Sequence, residues 1–477
     1  MPSHPKGLYV LYATELWERF SFYGMKALLV LYLNSGALSP ERLPNMLGSS
    51  AVIGIFGQPT TPQQVQALSS MLNELYSGAA YLMPLAGGAL ADACLGARRT
   101  MLLGGVLMAA GHGCLVSEKF FLVGLVLLVL GNGGFKPNIS SQLGALYEPP
   151  GPTALRDRGF AIFYTGINVG ALLAPLVCGA LQEASGFHAG FGVAGIGMLV
   201  GLASYLIGAR WLPPEPRRRG SGAQPCRRGA EQAAWPRQQA LSLLAICLLV
   251  VPFWAAYEQV GNTLPLFFRD HTSRTVLGAE VPAAWLQSLN PLVCVGFMPV
   301  LTAIWGRQAR RGAEPSPLVK MSIGCALQGA AWALMAVGVA AQGPAPLVLP
   351  VAVVVILTVG ELYLSPIGLA FVSGCVPPHA RSTAIGFWFL SSGLAGPVAG
   401  QLGVLYSLVS KPAFFGLLAA LSLANGAVLY AARHRLQRGA ATYERQPLTE
   451  QQSGASSPQD GVEIEAGAGA GDRKQED

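Results

Sequence analysis

Long apolar stretches, each about the length that crosses a bilayer as a helix, alternate with short polar segments along most of the chain. They fall at about residues 8–33, 69–90, 99–116, 119–138, 159–181 and 190–211, then at 240–268, 283–306, 318–341, 346–374, 382–406 and 412–432. Leu212 to Arg237, rich in Pro, Gly and Arg, parts the two sets and holds too few apolar residues to insert or to build a core. The pattern predicts an all-α membrane protein of twelve transmembrane helices in two six-helix halves. Its expected divisions are an N-terminal bundle over 1–211, a cytoplasmic basic linker over 212–238, a C-terminal bundle over 239–432 and a disordered cytoplasmic tail over 433–477. Ser35 to Gln66 reads as a loop rich in Pro, Gln, Ser and Thr.

The first span departs from the rest, because it carries Glu15, Glu18, Arg19 and Lys26. At 100° per residue these four and Tyr23 share an arc of about 140°, while Leu16 and Leu28 lie outside it. Each charge costs roughly 2.5–3.5 kcal/mol near mid-bilayer, so the stripe faces protein or water and marks a candidate functional site.

Composition agrees with a membrane class: 52% of residues are hydrophobic and 12% charged, against about 25% charged in soluble domains. Soluble-enzyme readings fail on this count, and no enzyme activity is expected. The net charge of +7 is a topology signal, not one for nucleic acid, because most Lys and Arg sit in short loops. With the N-terminus inside, the outer loops hold only Arg42, Lys119, Arg269, Arg274 and Lys411. Twenty-three basic residues fall on the other side, which puts both termini and the linker in the cytoplasm. The eight cysteines are scattered singly and say nothing about redox compartment. No metal site is expected, and the apolar start lacks a signal-peptide cleavage site.

Further polar groups interrupt later spans. Gly131-Asn-Gly-Gly-Phe-Lys136-Pro137-Asn138 places a lone Lys after a long apolar run. Phe163-Tyr-Thr-Gly-Ile-Asn168 lies in span five, and Phe253-Trp254-Ala-Ala-Tyr-Glu258-Gln259 in span seven. Gly360-Glu361-Leu-Tyr-Leu-Ser365-Pro366 lies in span ten, with fifteen uncharged residues before Glu361. Snorkelling to the interface suits Arg98 or Lys320 but fails for Lys136, Glu258 and Glu361, which read as paired charges or pathway groups. Asn168 serves equally well as a site residue or as a helix-to-helix amide. Trp254 and Trp388 serve equally as packing residues or ligand walls. His112 and His188 fall near predicted outer span ends, so proton chemistry here rests on carboxylates.

In this order and register, Glu15-xx-Glu18-Arg19-Phe with Tyr23-Gly24, the Phe-Lys136-Pro-Asn segment, Phe-Tyr-xx-Ile-Asn168, Phe-Trp254-xxx-Glu258-Gln and Glu361-Leu-x-Leu-Ser365-Pro resemble the proton-coupled oligopeptide transporter family. This is the peptide branch of the major facilitator superfamily, and the match covers about 8–432. The resemblance implies proton-driven symport of di- and tripeptides by alternating access, with the proton as coupling ion and no other cofactor. Its partners would be peptides, protons and the lipid bilayer. The protein would work as a monomer, most simply in the plasma membrane. Glu15, Glu18 and Arg19 would form the proton-coupling cluster, and Lys136 would pair with Glu258. Lys26, Lys136 and Asn168 would hold the peptide carboxylate; Asn290, Glu361 and Ser365 would face its amino terminus. Tyr23, Tyr76, Trp254 and Trp388 would line side-chain pockets. Asp92, Arg98 and Arg99 resemble the superfamily's inner gate latch.

The chain has Phe22 where the family often has Tyr, and Lys26 where Arg is common, and Lys cannot offer a carboxylate the bidentate fork of Arg. Glu74 stands where animal members carry a functional His; it is either a further titrating group or a carboxylate at the outer end of its span. The linker is too short for the two extra helices of many bacterial members. The alternatives are symport of another small anion or zwitterion, such as nitrate or an amino acid, and a transporter-like nutrient sensor.

Overall fold

A computed structural model describes residues 4–147, 155–212, 237–340, 343–376 and 381–440. The structure is built almost wholly of helices. The first half holds α1 (Lys6–Tyr32), α2 (Pro62–Leu90), α3 (Ala97–Leu115), α4 (Phe121–Ala145), α5 (Arg156–Ser185) and α6 (Phe187–Gly208). In the second half α7 is broken into Arg237–Leu249, Val251–Tyr257 and Thr263–His271, with a 3-10 turn at Glu258–Val260. It is followed by α8 (Leu289–Arg310), α9 (Pro317–Val339), α10 (Val348–Gly374), α11 (Arg381–Leu408) and α12 (Lys411–Ala440). Most of the predicted linker and tail, 213–236 and 441–477, lies outside the described residues.

Eight of these elements, α4 to α10 and α12, are long and apolar enough to cross a membrane by length and composition alone. The other four predicted spans fall short for visible reasons. α1 carries its charged stripe, α2 a Gln, Ser and Asn face, α3 two Arg and many Gly, and α11 many Gly and Ser. The charged stripe of α1 and, in α2, Ser69, Ser70, Asn73 and Ser77 are buried inside the protein. From Met25 to Tyr32 every residue of α1 is buried, because α1 packs on both α5 and α6 inside its half.

Three boundaries differ from expectation. α2 begins at Pro62, earlier than the predicted 69, because Thr61 and Gln64 form a reciprocal capping box and Pro62 suits the first turn. α4 continues through Pro137 to Ala145 instead of ending near 138. α12 runs to Ala440, beyond the predicted end at 432, because its last turns pack against α7: Gln239 Nε2 reaches the Ala440 carbonyl at 3.4 Å, and Leu436 packs on the same core. The predicted loop before α2 also contains a short helix, Ser49–Phe56.

The halves meet most closely along α2 and α11. Gly78, Gly393, Gly396, Gly400 and Gly403 line this seam, and a Cβ on Gly396 would lie 2.9 Å from the Glu74 carbonyl oxygen. On the same side, opposite the linker, Ser288 Oγ donates to the Leu172 carbonyl (2.9 Å) and Trp285 Nε1 to that of Leu176 (3.0 Å). Arg269 donates to Asn34 Oδ1 at 2.7 Å. Among the described residues, hydrogen bonds between the halves lie at mid-height or toward this face, and none lies at the linker end. The bundle is therefore closed opposite the linker.

Candidate functional site

The charged stripe of α1 organises the interior. Glu15 and Arg19 stand one helical turn apart, and Arg19 Nε lies 3.1 Å from Glu15 Oε1. Arg19 also donates to Glu18, while its guanidinium sits 5.2 Å from the centre of the Phe22 ring. All three ionisable groups are at most 3% exposed. Burial of one Arg between two carboxylates leaves polar atoms over: Glu15 Oε2, Glu18 Oε1 and Arg19 Nη2 have no hydrogen-bond partner among the described residues. Two glycines let the neighbouring helices close over the cluster. A Cβ on Gly170 of α5 would lie 3.0 Å from Arg19 Cβ, and one on Gly201 of α6 3.6 Å from the Glu18 nitrogen.

Two turns further along α1, Lys26 Nζ lies 3.1 Å from Glu258 Oε2, with both side chains 11% exposed. Glu258 opens the 3-10 turn where α7 breaks, beside Gly261, which leaves space for the Lys26 stem. This corrects the expectation that Lys136 pairs with Glu258. Lys136, on α4, has no ion pair within 4 Å among the described residues; its ammonium lies 5.2 Å from the Tyr81 ring centre, within electrostatic range of Glu15 and Glu18. Lys26 lies 6.0 Å from the same ring, so Tyr81 of α2 neighbours both lysines. The physical reason is one of elements: α1 touches the broken part of α7, whereas α4 packs on α2 and α3 inside its own half.

Glu361 of α10 forms the second pole. Asn290 of α8 reaches Glu361 Oε2 at 2.8 Å, the Tyr257 hydroxyl at 2.6 Å and Thr358 Oγ1 at 3.3 Å. The Tyr257 hydroxyl also donates to Glu361. Among the described residues this carboxylate is thus held by neutral donors alone and has no ion pair, which suits it to receive a cationic group. Ser365 stands one turn further along α10, half-buried.

The remaining predicted residues divide. Tyr76 is buried and stacks on Phe22 at 6.4 Å, and Phe22 meets Tyr23 edge-on at 5.4 Å. Trp254 is buried against Tyr257 at 5.8 Å, and its Nε1 has no partner among the described residues. Trp388 is 2% exposed and packs on Gly368, where any Cβ would collide with its ring; in this conformation it is a packing residue. Asn168 Nδ2 donates to the Tyr164 carbonyl of its own helix at 3.0 Å and, among the described residues, joins no second helix. Arg99 is exposed and Arg98 partly buried at the linker end of α3, and the side chain of Asp92 lies outside the described residues.

Tyr81, Tyr257 and Thr358 were not singled out from sequence as site residues, although Tyr257 immediately precedes Glu258. Glu74 is fully buried, which removes the reading of an outer-end carboxylate. His112 is also buried, with Nε2 2.6 Å from Ser21 Oγ of α1.

Two six-helix halves, with a salt bridge and opposed charged poles at their junction, define a multi-pass membrane transporter of the major facilitator fold. Comparison with known proteins narrows the class. The sequence matches the POT family over residues 98–225 and 230–416, and the chain belongs to that family. It is 33% identical to the peptide transporter YePEPT of Yersinia enterocolitica, over 84% of this chain and 88% of that protein. It is 29% identical to the di-/tripeptide transporter of Lactococcus lactis subsp. cremoris, over 89% and 94%. Among solved structures, the peptide transporter POT in complex with sulfate superposes with a TM-score of 0.76 at 28% identity, covering 91% of this chain and 96% of that one. A variant of it in complex with alafosfalin gives 0.76 at 29% identity, with the same coverage.

Proposed function

We propose that this chain is a proton-coupled symporter of di- and tripeptides that works by alternating access. The observation that carries the proposal is the arrangement of charge at the junction of the halves. Lys26 and Lys136 stand on the first half, and the Glu361–Asn290–Tyr257 cluster on the second. A short zwitterion needs fixed charge of both signs across a cleft, with apolar and aromatic walls between. Lys26, Lys136 and Asn168 take the peptide carboxylate side; Glu361, Asn290 and Ser365 take its amino group. Tyr23, Tyr76 and Trp254 serve as walls, and Trp388 joins them when α10 and α11 part.

Coupling follows from the buried Lys26–Glu258 pair. Neutralising one member leaves the other uncompensated, which is costly in a low-dielectric seam. A proton on Glu258 therefore frees the Lys26 ammonium for a peptide carboxylate, and proton and peptide occupancy become linked. Glu15, Glu18 and Arg19 supply the proton entry cluster, with Lys136 within their electrostatic range. Residues 1–211 and 239–432 act as the two moving bodies, and Asp92, Arg98 and Arg99 close the linker end. Both termini and the linker lie in the cytoplasm of a cell whose plasma membrane holds the protein, which functions as a monomer in the bilayer. The closed face is then the external one.

The test is uptake of labelled dialanine into proteoliposomes under an inward proton gradient. Accumulation competed by unlabelled di- and tripeptides, but not by free alanine, is expected. No accumulation of any peptide would overturn the proposal.

A further inference from the structure

Glu74 is a carboxylate the coupling scheme does not use, and its setting is unusual. It lies on α2, is fully buried, and turns its backbone and Cβ to Gly396 and Gly400 of α11, which offer it no polar group. Glu74 Oε1 accepts a hydrogen bond from Asn73 Nδ2 at 2.8 Å. Glu74 Oε2 is buried with no partner among the described residues. A bare buried carboxylate oxygen is expensive, so a site that retains one is expected to fill it in some other state.

Among the described residues, Lys26 and Glu258 are the charged groups recorded as acting on Glu74, one attracting and one repelling it. Two carboxylates thus share one cation. In this structure Glu258 holds it, 3.1 Å away, and Glu74 goes without. The other titratable groups facing Lys26 are the hydroxyls of Tyr81, Tyr76 and Tyr23, which carry no charge to compete with a carboxylate, and the Lys136 ammonium, which repels it. The decisive asymmetry is topological. Glu258 belongs to the second half and Glu74 to the first, so the Lys26–Glu258 pair ties the halves together while a Lys26–Glu74 pair would not.

We propose that Glu74 is the alternative seat of Lys26: when Glu258 is neutralised and no peptide carboxylate occupies the cleft, the ammonium turns to Glu74 Oε2, and the tether between the halves is released without leaving a bare cation. The swap breaks no heavy-atom bond: Glu258 takes up one proton, and the group of two carboxylates and one ammonium passes from a net negative charge to zero. Glu74 also sits on the α2–α11 seam, so the new pair forms where the closed face must part. This inference rests on the reading of the protein as an alternating-access transporter.

The experiment reads conformation directly, so that it holds whatever the substrate. Nitroxide-bearing amino acids placed at Gln63 and Leu408, exposed at the closed ends of α2 and α11, report the distance across that face in the full-length protein in nanodiscs. Glu258→Gln, which imitates the neutralised state, is expected to raise the long-distance population at least about fivefold, the lower end of a typical coupling. Adding Glu74→Gln should reduce that shift, because Lys26 then has no second carboxylate to turn to and stays hydrogen-bonded to the amide at position 258, while Glu74→Asp should keep the shift in part. Equal opening in Glu258→Gln and the double variant would overturn the proposal, as would absence of any shift in Glu258→Gln. Dialanine uptake by the wild type, measured in parallel, separates the two ideas: its absence counts against the peptide reading alone.

Discussion

Lys26 Nζ and Glu258 Oε2 lie 3.1 Å apart although 232 residues separate them in the chain, and they form the only salt bridge between the two halves among the described residues. The pair is nearly dry, and it sits where α7 interrupts its helix. Removing one member should therefore cost more than removing both. Lys26→Ala is expected to destabilise the closed state by about 3–5 kcal/mol, the usual range for stripping one partner from a buried pair. The Lys26→Ala/Glu258→Gln double variant should recover much of that loss. Thermal unfolding in detergent across the four members of the cycle checks it; additive losses would mean the two groups do not interact.

Glu18 lies in a different cluster, with Arg19, and is buried completely. Glu18→Gln keeps the shape and removes the titrating group. Gradient-driven dialanine uptake should vanish in this variant, while counterflow exchange with peptide on both sides should persist. Concentrative uptake surviving in Glu18→Gln would remove this residue from the coupling path.

At the other pole, Glu361 is held by Asn290 and Tyr257 with no cation of its own among the described residues. A peptide amino group would supply one, through a charge-assisted hydrogen bond worth about 1.5–3 kcal/mol. Glu361→Ala should therefore weaken free-amino peptides by about one to two orders of magnitude and affect N-acetylated peptides far less. Competition assays with dialanine and N-acetyl-dialanine decide; equal losses for both would place the amino group elsewhere.

Gly396 allows α11 to approach α2 so closely that a Cβ there would lie 2.9 Å from the Glu74 carbonyl oxygen. Gly396→Val should oppose closure of that face by about 1–3 kcal/mol, the range for overpacking a tight contact. The variant is expected to favour the state open opposite the linker, read as faster labelling of Ser70→Cys, a position buried against Gly403 in the closed seam, by an impermeant thiol reagent applied to that side. Unchanged labelling would mean that the seam does not govern access. The native cysteines set the background of the unsubstituted protein, against which the added rate is measured.

The features legible in the sequence are those that one helix can carry. Spans could be read because desolvating apolar side chains needs no partner. The α1 stripe followed from helical periodicity, and the Glu15–Arg19 contact from i,i+4 spacing, both local properties. The family motifs were likewise written in short runs such as Glu361-Leu-x-Leu-Ser365-Pro.

Partnerships between distant segments were decided only by the tertiary structure. The resemblance gave Glu258 to Lys136, although the first half also carries Arg19 and Lys26 in its spans and nothing in spacing chooses among the three. The choice fell to Lys26 because α1 meets α7 at its break, while α4 is held inside its own half against α2 and α3. The same limit applies to Glu74, which the sequence left between a titrating group and a span-end carboxylate. Its burial comes from glycines of α11, more than 300 residues further along the chain, and it was settled only when the halves closed on each other. An amino-acid sequence determines which groups must be sheltered from lipid; the rigid packing of the two bundles determines which of them meet.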